Sequence, residues 1–83
     1  MKYTYIPRGV CSRQINVELD GNIIKKVEFV GGCHGNTQGV AALAAGMDAE
    51  EYIRRCGNIR CGSKPTSCPA QLAIAVREAL DNQ

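Results

Sequence analysis

The first third of the chain alternates between apolar and polar residues, which is typical of strands with one buried face. Residues 11–19 form one such stretch and residues 23–30 form a second. The segment between them, Asp20-Gly21-Asn22, predicts a hairpin turn, because glycine readily adopts the positive φ that such turns need. Residues 3–6 predict a further strand.

The register of this hairpin decides which side chains face the core. A three-residue turn pairs Leu19 with Ile23 and Cys11 with Gly31, and it keeps the apolar residues of both strands on one side. The buried face of the first strand then consists of Cys11, Arg13, Ile15, Val17 and Leu19. That of the second strand consists of Ile23, Val27 and Phe29.

Beyond the hairpin the apolar residues recur at helical spacing. Asn36 is the expected N-cap of a first helix, which Gly46 ends. The apolar positions of this helix are Val40, Leu43, Ala44 and Met47. Asp48 and Glu51 form a capping-box pattern at the start of a second helix.

A third helix is predicted near the carboxyl end. Thr66 and Ser67 are capping residues, and Pro69 is allowed in the first turn. The buried stripe of this helix consists of Leu72, Val76, Ala79 and Leu80. Strands followed by helices predict an α+β fold, a small antiparallel sheet with about three helices on one face, in a single domain over residues 1–83.

Charge and hydropathy argue against several classes of function and location. A net charge of +2 without a basic run argues against nucleic-acid binding. The chain has no stretch near the roughly 18 apolar residues of a membrane span, and its start lacks the apolar segment of a signal peptide. We therefore expect a cytoplasmic protein with reduced thiols. Five cysteines among 83 residues then indicate metal ligation, thiol chemistry or core packing.

The predicted hairpin brings two cysteines together. Cys33 lies two residues beyond the expected partner of Cys11, so the two Cα atoms are about 7–8 Å apart. A bend at Gly31-Gly32 would bring both sulfurs within reach of one metal ion. Six residues of loop separate Cys61 from Cys68, and such a loop can fold two sulfurs onto one centre.

Cys33 and Cys68 also lie beside predicted helix starts. Free N–H groups and the helix dipole favour the thiolate there, which is both the metal-binding and the nucleophilic form. Cys56 ends the second helix and is expected to pack in the core. His34, the single histidine, offers an extra ligand, although a solvated loop histidine is the default interpretation.

Glycines near Cys33 support a different interpretation. A glycine-rich segment before a helix can cradle a phosphate with backbone N–H groups, here through Gly32, Gly35 and Asn36. The segment matches neither the P-loop nor the dinucleotide fingerprint. Phosphate or nucleotide binding is therefore an alternative to cysteine chemistry.

The segment Thr66-Ser67-Cys68-Pro69, followed by Ala70-Gln71-Leu72-Ala73, resembles the signature of the TSCPD domain family. Further agreement lies at Gly9-Val10-Cys11-Ser12, Val30-Gly31-Gly32-Cys33, Gly35-Asn36, Gly46-Met47 and Cys61-Gly62, and it covers nearly the whole chain. The sequence departs from the family pattern at two positions. Ala70 stands where the signature has an acidic residue, and His34 stands in place of a proline.

The resemblance implies a metal site formed by four cysteines: Cys11, Cys33, Cys61 and Cys68. Members of the family occur alone or appended to cobalamin-dependent ribonucleotide reductases, and the separate ones often carry a ribonucleoside-diphosphate reductase label. Ribonucleotide reduction needs a far larger scaffold, so this chain would be an accessory part. A fainter likeness to iron–sulfur cluster scaffold proteins covers Phe29 to Ile53.

These observations lead to three hypotheses. The leading one is a zinc-binding accessory or regulatory module that acts with a ribonucleotide reductase, in which four thiolates hold the metal and stabilise a small fold. The second is a thiol redox shuttle in which Cys68 attacks and Cys61 resolves. The third is an iron–sulfur cluster scaffold or carrier.

Overall fold

A three-stranded antiparallel sheet followed by three helices makes up the part of the chain that the computed structural model describes. This part comprises residues 1–10, 12–31, 34–60, 62–63 and 65–83, with His34 described by its backbone alone. The elements are β1 (Lys2–Tyr5), β2 (Ser12–Asp20), β3 (Ile23–Gly31), α1 (His34–Ala44), α2 (Ala49–Cys56) and α3 (Cys68–Asn82). The strand order is β1-β2-β3, and the α+β prediction is confirmed. Of the described helices, none is long and apolar enough to cross a membrane.

The hairpin between β2 and β3 has a two-residue turn, so the predicted three-residue turn is wrong. Asp20 pairs with Ile23, and Leu19 pairs with Ile24. Ile24 is consequently fully buried, whereas Ile23 is 43% exposed. Gly21 occupies the first position of the turn with a φ of +61°, a conformation that costs glycine little and other residues more.

A bulge in β3 compensates for the shorter turn. Lys25 is the extra residue at a register shift opposite Glu18 and Leu19. Without this shift, the two-residue turn would send Val27 to the solvent side. With it, Val27 pairs with Val17, and both side chains are buried as predicted.

A second register shift lies at the start of β2, between Ser12 and Gln14. It turns Arg13 to solvent and buries Ser12, which is 4% exposed. The prediction that Arg13 lies on the buried face is therefore wrong. Gly31 pairs with Ser12, so the predicted register is also wrong at this end, and Cys11 itself lies outside the described residues.

One face of the sheet packs against the helices, and the other is polar. The fully buried large side chains of the core are Ile15, Ile24, Leu72, Val17 and Val76. On the opposite face Asn16 links the three strands: its Oδ1 accepts hydrogen bonds from Thr4 and Gln14, and its Nδ2 donates to Glu28. The apolar contacts, and hence most of the stabilisation from burial, lie on the helical side.

The first helix, α1, begins earlier than predicted. Its first residue is His34, so Asn36 lies within the first turn and is not the N-cap. Gly46 follows the end of the helix, as predicted, with a φ of +90°. Its N–H donates to the carbonyl of Ile24 at 2.7 Å, which ties the end of α1 to β3.

The buried face of α1 is narrower than predicted. Thr37 and Ala44 are buried and Val40 packs against the core, whereas Leu43 is 78% exposed. Positions 37, 40 and 44 lie on one side of a helix with 3.6 residues per turn, and position 43 lies beside that stripe. The prediction that Leu43 belongs to the core is wrong.

The second helix begins where the capping pattern predicts. Asp48 Oδ2 accepts a hydrogen bond from the Glu51 N–H at 3.0 Å. The Glu51 carboxylate does not complete the capping box, because it pairs with Arg54 and Arg55 one turn further along. Half of the predicted box is therefore present.

The third helix also matches its prediction. Ser67 is its N-cap, and Pro69 lies in its first turn. Leu72, Val76 and Ala79 are fully buried. The helix lies across β1 and β2 and contacts α2, while α1 packs on β3.

Both ends of the described chain lie near the hairpin turn. The Met1 amine donates to the carbonyl of Leu19 at 3.1 Å. Gln83 Nε2 donates to the carbonyl of Gly21 at 2.8 Å. The third helix therefore runs from the Ser12 end of β2 to the turn end.

Candidate functional site at the start of α3

Cys68 is the first residue of α3, a free thiol with 9% of its surface exposed. Its Sγ lies 3.4 Å from the Oγ of Ser12, the first residue of β2. A serine hydroxyl can accept from a thiol or donate to a thiolate, so this contact suits both forms of the cysteine. The contact ties the first turn of α3 to the start of β2.

Ser67 uses one hydroxyl for two purposes. Its Oγ accepts a hydrogen bond from the Ala70 N–H at 3.2 Å, which caps the helix. The same hydroxyl donates to the carbonyl of Ile59 at 2.7 Å. Because a hydroxyl carries both a donor and acceptor lone pairs, Ser67 can hold the segment after α2 while it caps α3.

Thr66 contacts the loop that follows β1. A Cβ atom placed on Gly9 would lie 3.2 Å from Thr66 Cγ2, closer than most such contacts. Gly9 also has a φ of +73°, which disfavours other residues. Thr66 Oγ1 accepts a hydrogen bond from Gln71 Nε2 at 3.0 Å.

Pro69 accepts a hydrogen bond from α2. The hydroxyl of Tyr52, which is 2% exposed, donates to the Pro69 carbonyl at 2.9 Å. Burial raises the pKa of Tyr52 far above its usual value, and the neighbouring Cys56 and Cys68 raise it further. The phenol therefore stays protonated and remains a donor.

Each residue of Thr66-Ser67-Cys68-Pro69 thus contacts a different segment of the chain. The four contacts reach the loop after β1, the segment after α2, the start of β2 and the body of α2. The start of α3 is consequently a junction of the fold. Sequence reasoning identified this motif and the helix cap at Ser67, but it predicted none of these four contacts.

Three of the four predicted metal ligands lie outside the described residues: Cys11, Cys33 and Cys61. Gly32 and the side chain of His34 lie outside them as well. Gly35 and Asn36, the other predicted phosphate-binding residues, are exposed in the first turn of α1. Within the described part of the chain, no three histidine, cysteine or acidic side chains are grouped closely enough to hold a metal ion.

Cys56 behaves as predicted. It ends α2, is half-buried and packs against the hydrophobic core. It is a free thiol, like Cys68. Because Cys56 is a free thiol that is not a proposed ligand, its substitution is a matched control for substitution of Cys68.

Sequence reasoning missed two residues of this junction, Ser12 and Gln71. Gln71 is a buried polar residue between Ala70 and Leu72, and a glutamine among apolar helix residues is a signal that could have found it. Ser12 could not be found in this way, because the alternating pattern placed it on the solvent side.

The protein is a small α+β domain, in which a helix crosses a three-stranded sheet and buries a cysteine at its capped start. The sequence model of the TSCPD domain family matches residues 1–80, and the chain belongs to that family. The resemblance seen in the sequence is thereby confirmed. No curated protein and no solved structure matches the chain.

Proposed function

We propose that this chain is a metal-binding accessory or regulatory module that acts with a ribonucleotide reductase. Its ligands are Cys11, Cys33, Cys61 and Cys68, and its metal is zinc. The observation that carries the proposal is the buried Cys68 thiol at the capped start of α3, in contact with Ser12. Membership of the TSCPD domain family supports it.

The chain neighbours of two proposed ligands support the proposal. Ser12, which contacts Cys68, directly follows Cys11 in the sequence. Gly31 pairs with Ser12 and precedes Cys33 by two positions. The described neighbours of these two proposed ligands are therefore Ser12, which contacts Cys68, and Gly31, which pairs with Ser12.

The segment before the remaining ligand supports it in the same way. Ile59 precedes Cys61 by two positions, and its carbonyl accepts the Ser67 hydrogen bond. Ser67 is in turn the neighbour of Cys68. Ser12, Gly31 and Ile59, which lie within two positions of the other three proposed ligands in the sequence, are therefore all linked to the start of α3.

The donor chemistry fits zinc. Cysteine thiolates are soft donors, and four of them form a closed tetrahedral site of the structural type. The Ser12 hydroxyl would donate to the Cys68 thiolate from outside the coordination shell, a contact that typically orients a ligand. Bound zinc would contribute free energy of folding to a domain of only 83 residues.

The proposed partner follows from the family and from size. A chain of 83 residues cannot hold the radical generator, substrate pocket and redox pair of ribonucleotide reduction. An accessory role remains, in which the domain binds the larger enzyme. Binding of the zinc-loaded domain to a cobalamin-dependent ribonucleotide reductase, measured by calorimetry, tests this part separately from the metal.

The metal is tested by elemental analysis and a visible spectrum of untagged protein purified without oxygen. We expect one zinc ion per chain and no colour. Cys68→Ser and Cys61→Ser should lose the metal and melt at a lower temperature, whereas Cys56→Ser should keep it. Equal metal content in all three variants would refute the proposed ligand set.

Two other outcomes would replace zinc with one of the alternatives. Iron together with inorganic sulfide would favour a cluster scaffold or carrier. Folded, metal-free protein in which Cys61 and Cys68 react rapidly with an alkylating agent would favour the thiol shuttle.

A further inference from the structure

Gln71 lies one helical turn after Cys68 and is 5% exposed. Its Oε1 accepts two hydrogen bonds, from the Tyr5 hydroxyl at 3.1 Å and from the Arg8 N–H at 3.0 Å. Its Nε2 donates to Thr66 Oγ1 at 3.0 Å. This amide therefore binds three separate groups, and among the described residues no buried side-chain nitrogen or oxygen lacks a partner.

The three bonds join two segments that lead to proposed ligands. Arg8 precedes Cys11 by three positions, and Thr66 precedes Cys68 by two. Thr66 Cγ2 also leaves little room for a side chain at Gly9, where an added Cβ would lie only 3.2 Å from it. Gln71 holds the loop after β1 against the start of α3.

The structure contains a similar contact two turns further along the same helix. The Tyr3 hydroxyl donates to Glu78 Oε1 at 2.5 Å, so β1 is bound to α3 by two tyrosines of the same strand. One tyrosine, Tyr5, contacts the signature end of the helix, and the other, Tyr3, contacts it two turns later. The two contacts join the same elements and differ chiefly in their distance from Cys68.

We propose that Gln71 is a positioning residue: through the loop that it holds, it sets the metal affinity of the site at the start of α3. This inference rests on the proposed function, because it concerns that site. Gln71 itself coordinates nothing. Its role is to fix the separation between the segments that carry Cys11 and Cys68.

The test uses the full chain and Zn²⁺ alone as the probe, with affinity measured by competition against a chromophoric chelator. Tyr5→Phe and Tyr3→Phe form a matched pair, because each removes one hydroxyl from the same strand. Gln71→Met removes all three bonds of the amide. Gln71→Glu keeps the acceptor for Tyr5 and Arg8, and the Thr66 hydroxyl can rotate to donate to it.

We expect Tyr5→Phe and Gln71→Met to weaken Zn²⁺ binding by about tenfold or more, as outer-shell changes do. Tyr3→Phe should change it by less than about twofold, and Gln71→Glu should recover most of the affinity. The absorption bands of Co²⁺-loaded Gln71→Met should also shift, which a loss of stability alone would not cause.

Equal losses of affinity in Tyr3→Phe and Tyr5→Phe would overturn the inference, since the effect would then follow stability and not position. Wild-type protein that binds no Zn²⁺ would refute the proposed function itself. Amide hydrogen exchange then tests the positioning part in metal-free protein. Faster exchange of the Arg8 amide in Gln71→Met, but not in Tyr3→Phe, supports it, and unchanged exchange overturns it.

Discussion

The hydroxyl of Ser12 and the thiol of Cys68 lie 3.4 Å apart, although 56 positions separate them in the chain. Both residues are buried. The contact depends on the register shift at Arg13, which turns Ser12 into the protein. A bulge of one residue in a strand therefore decides which group meets the signature cysteine.

Ser12→Ala should weaken zinc binding, given the proposal that Cys68 is a ligand. The thiolate would lose a hydrogen bond from outside the coordination shell, and we expect a fall in affinity of about 10- to 100-fold. Competition with a chromophoric chelator measures it. Ser63→Ala, at an exposed position, is the control and should bind zinc as the wild type does.

Neighbouring isoleucines test the hairpin. Ile24 is fully buried and Ile23 is 43% exposed. The predicted three-residue turn instead placed Ile23 on the buried face. Ile24→Ala should lower the free energy of unfolding by about 2–5 kcal/mol, because it leaves a cavity in the core. Ile23→Ala should lower it by about 1 kcal/mol or less. Urea unfolding of the two variants compares them directly, and a larger effect at Ile23 would contradict the observed register.

The hairpin also shows what the sequence could and could not predict. The alternating pattern correctly placed Ile15, Val17 and Leu19 in the core, because period two is a property of each strand by itself. The pairing of two strands depends in addition on turn length and bulges. A bulge at Lys25 left the buried face of the second strand nearly unchanged, so the pattern could not reveal it.

Ser67→Ala removes a helix cap and a link to the segment after α2. We expect the free energy of unfolding to fall by about 1–3 kcal/mol, the sum of a lost N-cap and a lost hydrogen bond. For a domain of this size, each kcal/mol lowers the melting temperature by about 4–8 °C. Ser63→Ala is again the control. Equal melting temperatures in calorimetry would show that the Ser67 hydroxyl contributes nothing.

Capping was the part of the helices that sequence predicted best. Asp48 and Ser67 are caps in the structure, where each side chain accepts a hydrogen bond from the N–H three residues later. Such a bond depends only on neighbouring residues and can therefore be predicted without knowledge of the tertiary structure. Asn36 is not a cap because α1 begins at His34, two positions before it. Leu43 failed as a core residue because β3 contacts only a narrow stripe of α1, and sequence spacing does not show how wide that contact is.

Tyr52 should make the protein less stable in alkali. The folded state raises its pKa, mainly by burial, so the unfolded chain loses the proton first as the pH increases. Its contribution is fully present below about pH 10, the usual pKa of tyrosine, and the free energy of unfolding falls above that pH. Cys56 and Cys68 are the titratable groups that raise this pKa further.

Tyr52→Phe should reduce this alkaline slope by up to about 1.4 kcal/mol per pH unit. At neutral pH it should cost about 1 kcal/mol, because the hydrogen bond to Pro69 is lost. Urea unfolding at several pH values measures both effects. Tyr3 and Tyr5, whose pKa values are also raised, remain in both proteins. An unchanged slope would mean that Tyr52 ionises in the folded protein.

The positions of the two chain ends bear on how this domain can be handled. Met1 and Gln83 both bind the hairpin-turn end of the sheet, whereas the junction around Cys68 lies at the opposite end of α3. A tag, a surface tether or a second polypeptide joined at either position would extend away from Cys68. The domain can therefore be immobilised or fused at these positions without covering the start of α3.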